Sequence, residues 1–165
     1  MPSEDYYEGR RAMTTEESAQ AQRNKQVVRA LYDAILRPDG PDLEAIEAVY
    51  DENYVVEFNW GHPDYRGRWW SAEENIPARM RLIHLIRSDF GPVGAILADG
   101  PSRVVSLITN EGTDLAGKPW KTDVIHLFEL ANGKLTRERV FFQDQVLLRD
   151  IALEREAAER ETAQQ

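Results

Sequence analysis

At 165 residues with a formal net charge of −9, the chain is long enough for one domain with a core of its own. Its acidity excludes a nucleic-acid binder, which needs a clustered basic face. The absence of cysteine excludes a disulfide framework, a thiolate metal site and a cysteine nucleophile. No apolar run approaches the roughly 18 residues of a membrane-crossing helix, and the first twenty residues hold no apolar secretory core. A soluble, cytoplasmic protein with no membrane partner is expected. No Walker loop, GxGxxG, GxSxG, HExxH or internal repeat occurs in the sequence.

Residues 1–13 are polar and irregular and are expected to form a disordered tail. Thr14-Thr15-Glu16-Glu17 is a capping box, in which Thr14 accepts from the third helical amide and Glu17 reaches back. The helix it opens carries Val27, Val28, Leu31, Tyr32 and Ile35 on one stripe, and Arg37-Pro38-Asp39-Gly40-Pro41 ends it. Asp42 caps a short second helix with Leu43, Ile46, Val49 and Tyr50 at helical spacing. Asp51-Glu52-Asn53 is expected to turn, Tyr54–Trp60 to form a strand, and Gly61-His62-Pro63-Asp64 to form a loop.

Ser71-Ala72-Glu73-Glu74 is a second capping box. Pro77 predicts a kink in the helix it starts, or a fresh start capped by Asn75. Met80, Leu82, Ile83, Leu85 and Ile86 make that helix apolar almost all round, which predicts that it is sandwiched. A loop at 88–92 and strands at about 93–98 and 102–109 follow, joined by Asp99-Gly100-Pro101. A longer connection leads to residues 121–148.

That last stretch organises the rest. From Asp123 to Leu130 both alternation faces are apolar, as in a strand covered on both sides. Ala131-Asn132-Gly133 supplies a turn that accepts positive φ. A second strand runs from Lys134 to about Gln143, exposed at its start and buried at its end. His126 interrupts the apolar run on the face of Val124 and Phe128, so it should point into whatever that face covers. After Gln145, Leu148, Ile151 and Ala152 keep helical spacing, and residues 151–165 read as a charged helical tail standing in solvent or touching a partner chain.

The order of elements predicts an α+β domain over residues 14–150, with a curved sheet of mixed or antiparallel strands wrapped as a cone around the N-terminal helices. The space inside such a cone is where a ligand would sit.

The segments VVRALYDAI, DLEAIEAVYDENYVVEFN, YRG and DVIHLFELANGKLTRERVFFQD resemble the nuclear transport factor 2-like superfamily over about residues 20–150. That group includes ketosteroid isomerases, SnoaL-type polyketide cyclases, limonene epoxide hydrolase, scytalone dehydratase and many non-enzymes, so the resemblance implies a fold more than a function. Tyr32 falls where the isomerases place the tyrosine that donates to the substrate oxyanion. His126 falls where they place a protonated aspartate, and where the cyclases place their general acid. Phe58 stands at the position of the isomerases' aspartate base and cannot take a proton. The Arg-x-Asp pair of the limonene hydrolase is missing from its strands. Asn59 coincides with that family's carboxamide only in a register that turns Glu57 and Asn59 inward.

The resemblance therefore implies a cofactor-independent isomerase, cyclase or dehydratase acting on a hydrophobic cyclic or polyketide-like carbonyl compound, with a homodimer formed through the sheet. Tyr32 and His126 are the expected acid/base pair, with His84 as a second candidate on the face of Met80. Phe58, Asn59, Trp60, Met80, Val124, Phe128 and Phe142 are the expected pocket wall. The competing reading is a non-catalytic small-molecule-binding or dimerisation module, with His126 a core histidine satisfied by a neighbour and Tyr32 plain core packing. No metal ligand set and no cofactor are expected, since His62, Asp64 and Glu57 read as a solvated loop and its flank. Trp60, Trp69 and Trp70 read as an aromatic mouth, as cover for the open end of the cone, or as a dimer contact. Glu138 reads as a rim salt bridge to arginine, or as a base if the pocket reaches it. Asp144 carries no assigned role.

Overall fold

The capping box at Thr14 closes as its sequence requires: the Glu17 amide donates to Thr14 Oγ1 at 3.1 Å and the Thr14 amide donates to Glu17 Oε2 at 2.8 Å. It opens α1 (Thr15–Ile35), whose Val28, Leu31, Tyr32 and Ile35 are buried. This computed structural model describes residues 12–86 and 88–164. Most of the expected N-terminal tail, residues 1–11, lies outside the described residues; Ala12 and Met13 are exposed and irregular. Asp42 accepts from the Ala45 amide and caps α2 (Leu43–Val49). Ile46 is buried while Leu43 faces solvent.

Six strands form one mixed sheet. In chain order they are β1 (Tyr50–Asn59), β2 (Trp69–Ser71), β3 (Ser88–Asp99), β4 (Arg103–Thr113), β5 (Pro119–Ala131) and β6 (Lys134–Phe142), and in space they run β2-β1-β6-β5-β4-β3. All neighbours are antiparallel except β1 and β6. The expected meander is therefore β3 to β6, and β1 joins it from the N-terminal half.

Two expected breaks are strand instead. Asp51-Glu52-Asn53 belong to β1, where a register shift between Tyr50 and Val55 absorbs the polar residues as an irregularity. Residues 88–92 belong to β3, which carries two further shifts, between Phe90 and Val93 and between Val93 and Ala95. Such bulges break the pattern of alternation that sequence reading depends on, and they bend the strand. The three-residue β2 is too short to leave a periodic signature and was not expected.

Alternation sorts the sheet's two faces. Tyr54, Val56 and Phe58 of β1, Val104, Ser106 and Ile108 of β4, Val124, His126 and Phe128 of β5, and Glu138, Val140 and Phe142 of β6 are buried on the inner face. α1 lies against β3 and β4, and α3 (Ala72–Ile86) against β1. α3 starts at the second capping box, with Ser71 and Glu74 bonded reciprocally. It runs unbroken through Pro77, and Asn75 sits inside it rather than capping a new start. It is not sandwiched all round, because Met80 is 45 % exposed. The outer face of β5 is likewise open within one chain: Ile125 is 45 % exposed.

The final helix, α4 (Gln145–Ala163), is part of the fold and not a solvated arm. Leu148, Ile151, Ala152 and Arg155 are buried, and Arg155 Nε donates to the Leu85 carbonyl of α3 at 2.9 Å. Ile151→Ala should therefore cost about 2–5 kcal/mol of unfolding free energy. A urea titration showing a loss below about 0.5 kcal/mol, the usual effect at a solvated site, would contradict the docking of α4.

Candidate functional site

The inner face of the sheet is apolar except where β5 and β6 place His126 and Glu138. These residues sit two positions apart diagonally, since His126 pairs with Val140 and Phe128 with Glu138. His126 Nδ1 lies 2.6 Å from Glu138 Oε1, and both side chains are closed off, at 2 % and 0 % exposure. The other carboxylate oxygen, Oε2, accepts from Arg79 Nη2 at 2.9 Å and from the Tyr54 hydroxyl. Glu138 is thus a buried carboxylate held by three donors, and the expected rim salt bridge is instead a core one.

Further groups brace the arginine. Arg79 Nη2 reaches Asn75 Oδ1 at 3.4 Å, Asn75 Nδ2 donates to the Tyr50 hydroxyl at 2.7 Å, and the Tyr50 and Tyr54 rings stack 3.9 Å apart. Phe58 covers the guanidinium, its ring centroid 5.1 Å from Arg79 Cζ. Arg79 Nε remains buried without a hydrogen-bond partner.

Tyr32 approaches from α1. Its hydroxyl is 2.5 Å from Ser106 Oγ, and Ser106 is the direct cross-strand partner of His126. The Tyr32 ring meets the imidazole edge-on at 5.8 Å, and Phe128 stacks on the imidazole at 5.8 Å. The structure therefore brings the Tyr32 and His126 rings into edge contact and places Glu138, Arg79, Tyr54 and Ser106 around them.

Charge states follow from these contacts. Burial pushes the Glu138 carboxyl up, but the adjacent Arg79 guanidinium and the donated hydrogen bonds outweigh it and hold the group at about 2. Burial pulls His126 below its ordinary value, against the opposing pull of Glu138. Burial, reinforced by the Glu138 charge, raises the Tyr32 phenol, so it keeps its proton. The consistent state at neutral pH is Arg79⁺, Glu138⁻ and a neutral imidazole whose Nδ1–H donates to Glu138. That bond fixes the tautomer and leaves the lone pair on Nε2.

Other expectations are redrawn. His84 is exposed and bonded to Glu159 at 2.6 Å on the α3–α4 surface, remote from any acid/base role with His126. Met80 faces solvent and lines no inner wall, whereas Phe58, Trp60, Val124, Phe128 and Phe142 are buried inside. Phe58 and Trp60 point inward, so the alternative register with Glu57 and Asn59 inward does not occur. Trp60 is core rather than mouth, while Trp69 and Trp70 on β2 are half-buried, with arginines over their rings.

His62 is not a solvated loop residue. It is 1 % exposed and stacks on Trp60 at 4.9 Å. His62, Asp64 and Glu156 bring their donor atoms within 4.8 Å of one another. However, His62 Nδ1 accepts from the Asp64 amide, which leaves the proton on Nε2, 3.4 Å from Glu156. Arg81 and Arg160 crowd the same carboxylate at 3.7 and 4.0 Å. Nε2 of His62 stays buried without a hydrogen-bond partner, and the two arginines already balance the Glu156 charge, which does not suit a cation.

Two clefts reach the shell of the buried network. One, of about 250 Å³, is lined by Arg29, Tyr32, Asp33 and the β3 bulge around Val93 and Gly94. The other, of about 340 Å³, reaches Phe58 from the end of β1.

Solved structures share this architecture. The chain superimposes on Bal32a from a soil-derived mobile gene cassette with a TM-score of 0.65 and 20 % identity, covering 80 % of this chain and 98 % of the other. A protein described as a "Putative SnoaL-like polyketide cyclase" from Jannaschia sp. CCS1 gives 0.64 and 17 %, over 87 % and 98 %. An NTF2-like protein of unknown function from Burkholderia pseudomallei K96243 gives 0.63 and 22 %, over 77 % and 95 %. The fold is the nuclear transport factor 2-like fold. No protein-family model matches the sequence, and no curated protein matches it.

Glu138 ties stability to pH with a definite sign. Its depressed pKa favours the folded state fully above its ordinary 4.5, and that contribution is lost as pH falls toward about 2. Glu138→Gln should cost about 3–5 kcal/mol at pH 7, because it strands the Arg79 charge in the core. The gap between variant and wild type should shrink in urea titrations below pH 4. A gap that does not change with pH would show that Glu138 is not the ionised partner of Arg79.

Proposed function

We propose that the chain is a cofactor-independent acid/base enzyme acting on a hydrophobic carbonyl compound, with His126 as the base and Tyr32 as the oxyanion donor. The observation that carries this reading is the 2.6 Å contact between His126 Nδ1 and the fully buried Glu138 carboxylate. Phe58 removes the carboxylate base that the resembled isomerases use, and the Glu138-oriented imidazole supplies another. In the proposed step, Nε2 takes a proton from the carbon beside the carbonyl. The developing enolate oxygen accepts from the Tyr32 hydroxyl, and Glu138 stabilises the imidazolium. The proton then returns to a second carbon, giving isomerisation, or to a departing hydroxyl, giving dehydration.

Buried charge is also informative. Replacing an ion pair by well-packed apolar groups is often neutral or stabilising, so a six-residue polar network in an apolar cone supports a working role. The second reading, a binding or dimerisation module without chemistry, is favoured by the way Phe58, Trp60 and Phe128 fill the interior, each at 1 % exposure or less. For either reading we propose a homodimer through the open sheet face, where Leu107, Ile125 and Phe141 form one cross-strand row, each at least 37 % exposed.

Proton–deuterium exchange beside the carbonyl of 2-tetralone in D₂O, followed by proton NMR, tests the chemistry without knowledge of the natural substrate. Wild type should accelerate exchange, and His126→Ala and Tyr32→Phe should each lose about 10²-fold or more while remaining folded. Equal rates for wild type and His126→Ala would remove His126 from the mechanism.

A further inference from the structure

The cleft at the end of β1 differs in chemistry from the rest of this acidic chain. Arg66 and Arg149 stand on its walls with Asn59 and Gln145, Val146 forms its exposed apolar side, and the buried Phe58 lies at its floor. Arg66 is exposed and forms no ion pair among the described residues. Arg149 spends Nε and Nη2 on one oxygen of Asp150, which leaves Nη1 uncommitted. Asn59 Nδ2 is buried with no hydrogen-bond partner, so a donor is also unspent. The nearby acid Asp144 is occupied, accepting from the Leu147 amide as the cap of α4. Donors thus exceed acceptors in a concave site on a chain of net charge −9.

Guanidinium groups pair with carboxylates through parallel N–H donors, and two of them flanking a cleft select a planar anion over a neutral isostere. A volume of about 340 Å³ suits a ring-sized ligand. The apolar side of the cleft gives that ring its surface. Behind Phe58 lies Arg79, and through Arg79 the carboxylate that orients His126.

We infer that this cleft binds the carboxylate of an aromatic or alicyclic acid, with Arg66, Arg149 and Asn59 as the anion-recognising groups and the ring packed on Val146. The substrate class of the proposed reaction is then a carbonyl compound that also carries a carboxylate. This last step rests on the acid/base reading; the binding site itself does not.

Isothermal titration with 2-naphthoate, set against neutral 2-naphthamide of the same shape, tests the inference on the full chain. Wild type should prefer the acid by about tenfold or more at low salt, and the preference should shrink at high salt. Arg66→Gln combined with Arg149→Gln, shown to be folded by circular dichroism, should bind acid and amide alike. His126→Ala should bind the acid as wild type does, so a failure of acid binding is distinct from a failure of exchange activity. Absence of any preference in wild type, or its survival in the double variant, would overturn the site.

Discussion

The Glu138 carboxylate is the constraint to which the interior answers. A carboxylate without exposed surface costs several kcal/mol unless its lone pairs are filled and its charge is balanced. Here the chain meets that cost with groups drawn from three elements: Arg79 from α3, Tyr54 from β1 and His126 from β5. The position of α3 against β1 brings its arginine to Glu138 on the neighbouring strand β6. Asn75 and Tyr50, which touch neither the carboxylate nor the imidazole, orient that arginine. The parallel pairing of β1 and β6, the one exception to antiparallel order, is what carries Tyr54 to within reach of β6.

The same constraint decides the state of His126. Its imidazole is buried beside a carboxylate whose charge is already balanced by Arg79, so a second proton on the ring would be an unbalanced charge in an apolar place. The ring stays neutral and donates from Nδ1. A neutral, oriented imidazole in a dry interior, with a protonated tyrosine on the facing helix, is the arrangement on which the proposed enolisation rests. The filled core around it means that a ligand must displace side chains to reach it. Tyr32 and Phe58 are the residues at which the two clefts meet the network's shell.

Periodicity and capping made most of the fold legible in the sequence. The two capping boxes, the Asn132-Gly133 turn and the alternation around His126 each place an element that the structure retains. Legibility failed where the strands are irregular: bulges in β1 and β3 hide strand residues as polar or turn-like segments. For the site, His126 stood out because it interrupts an apolar face, and Tyr32 because of the resemblance. Glu138 shares the alternation face of Val140 and Phe142, which admits it as a base, but parity along β6 does not say how deep that face is buried, so a rim salt bridge to arginine reads equally well. Arg79 carried no signal of its own, since an arginine on a helix is ordinarily solvated. His62 was lost in the same way, its burial depending on a helix more than 80 residues later in the chain. Long-range packing, which periodicity does not encode, separates the residues that were found from those that were missed.

The most direct measurement is the nitrogen-15 long-range correlation spectrum of the His126 ring near pH 7. A neutral ring with the proton on Nδ1 and the lone pair on Nε2 is the result this account predicts, since the tautomer follows from the hydrogen bond to an ionised Glu138. A charged imidazolium, or a ring protonated on Nε2 alone, would contradict it, because His126 would then have no base to offer.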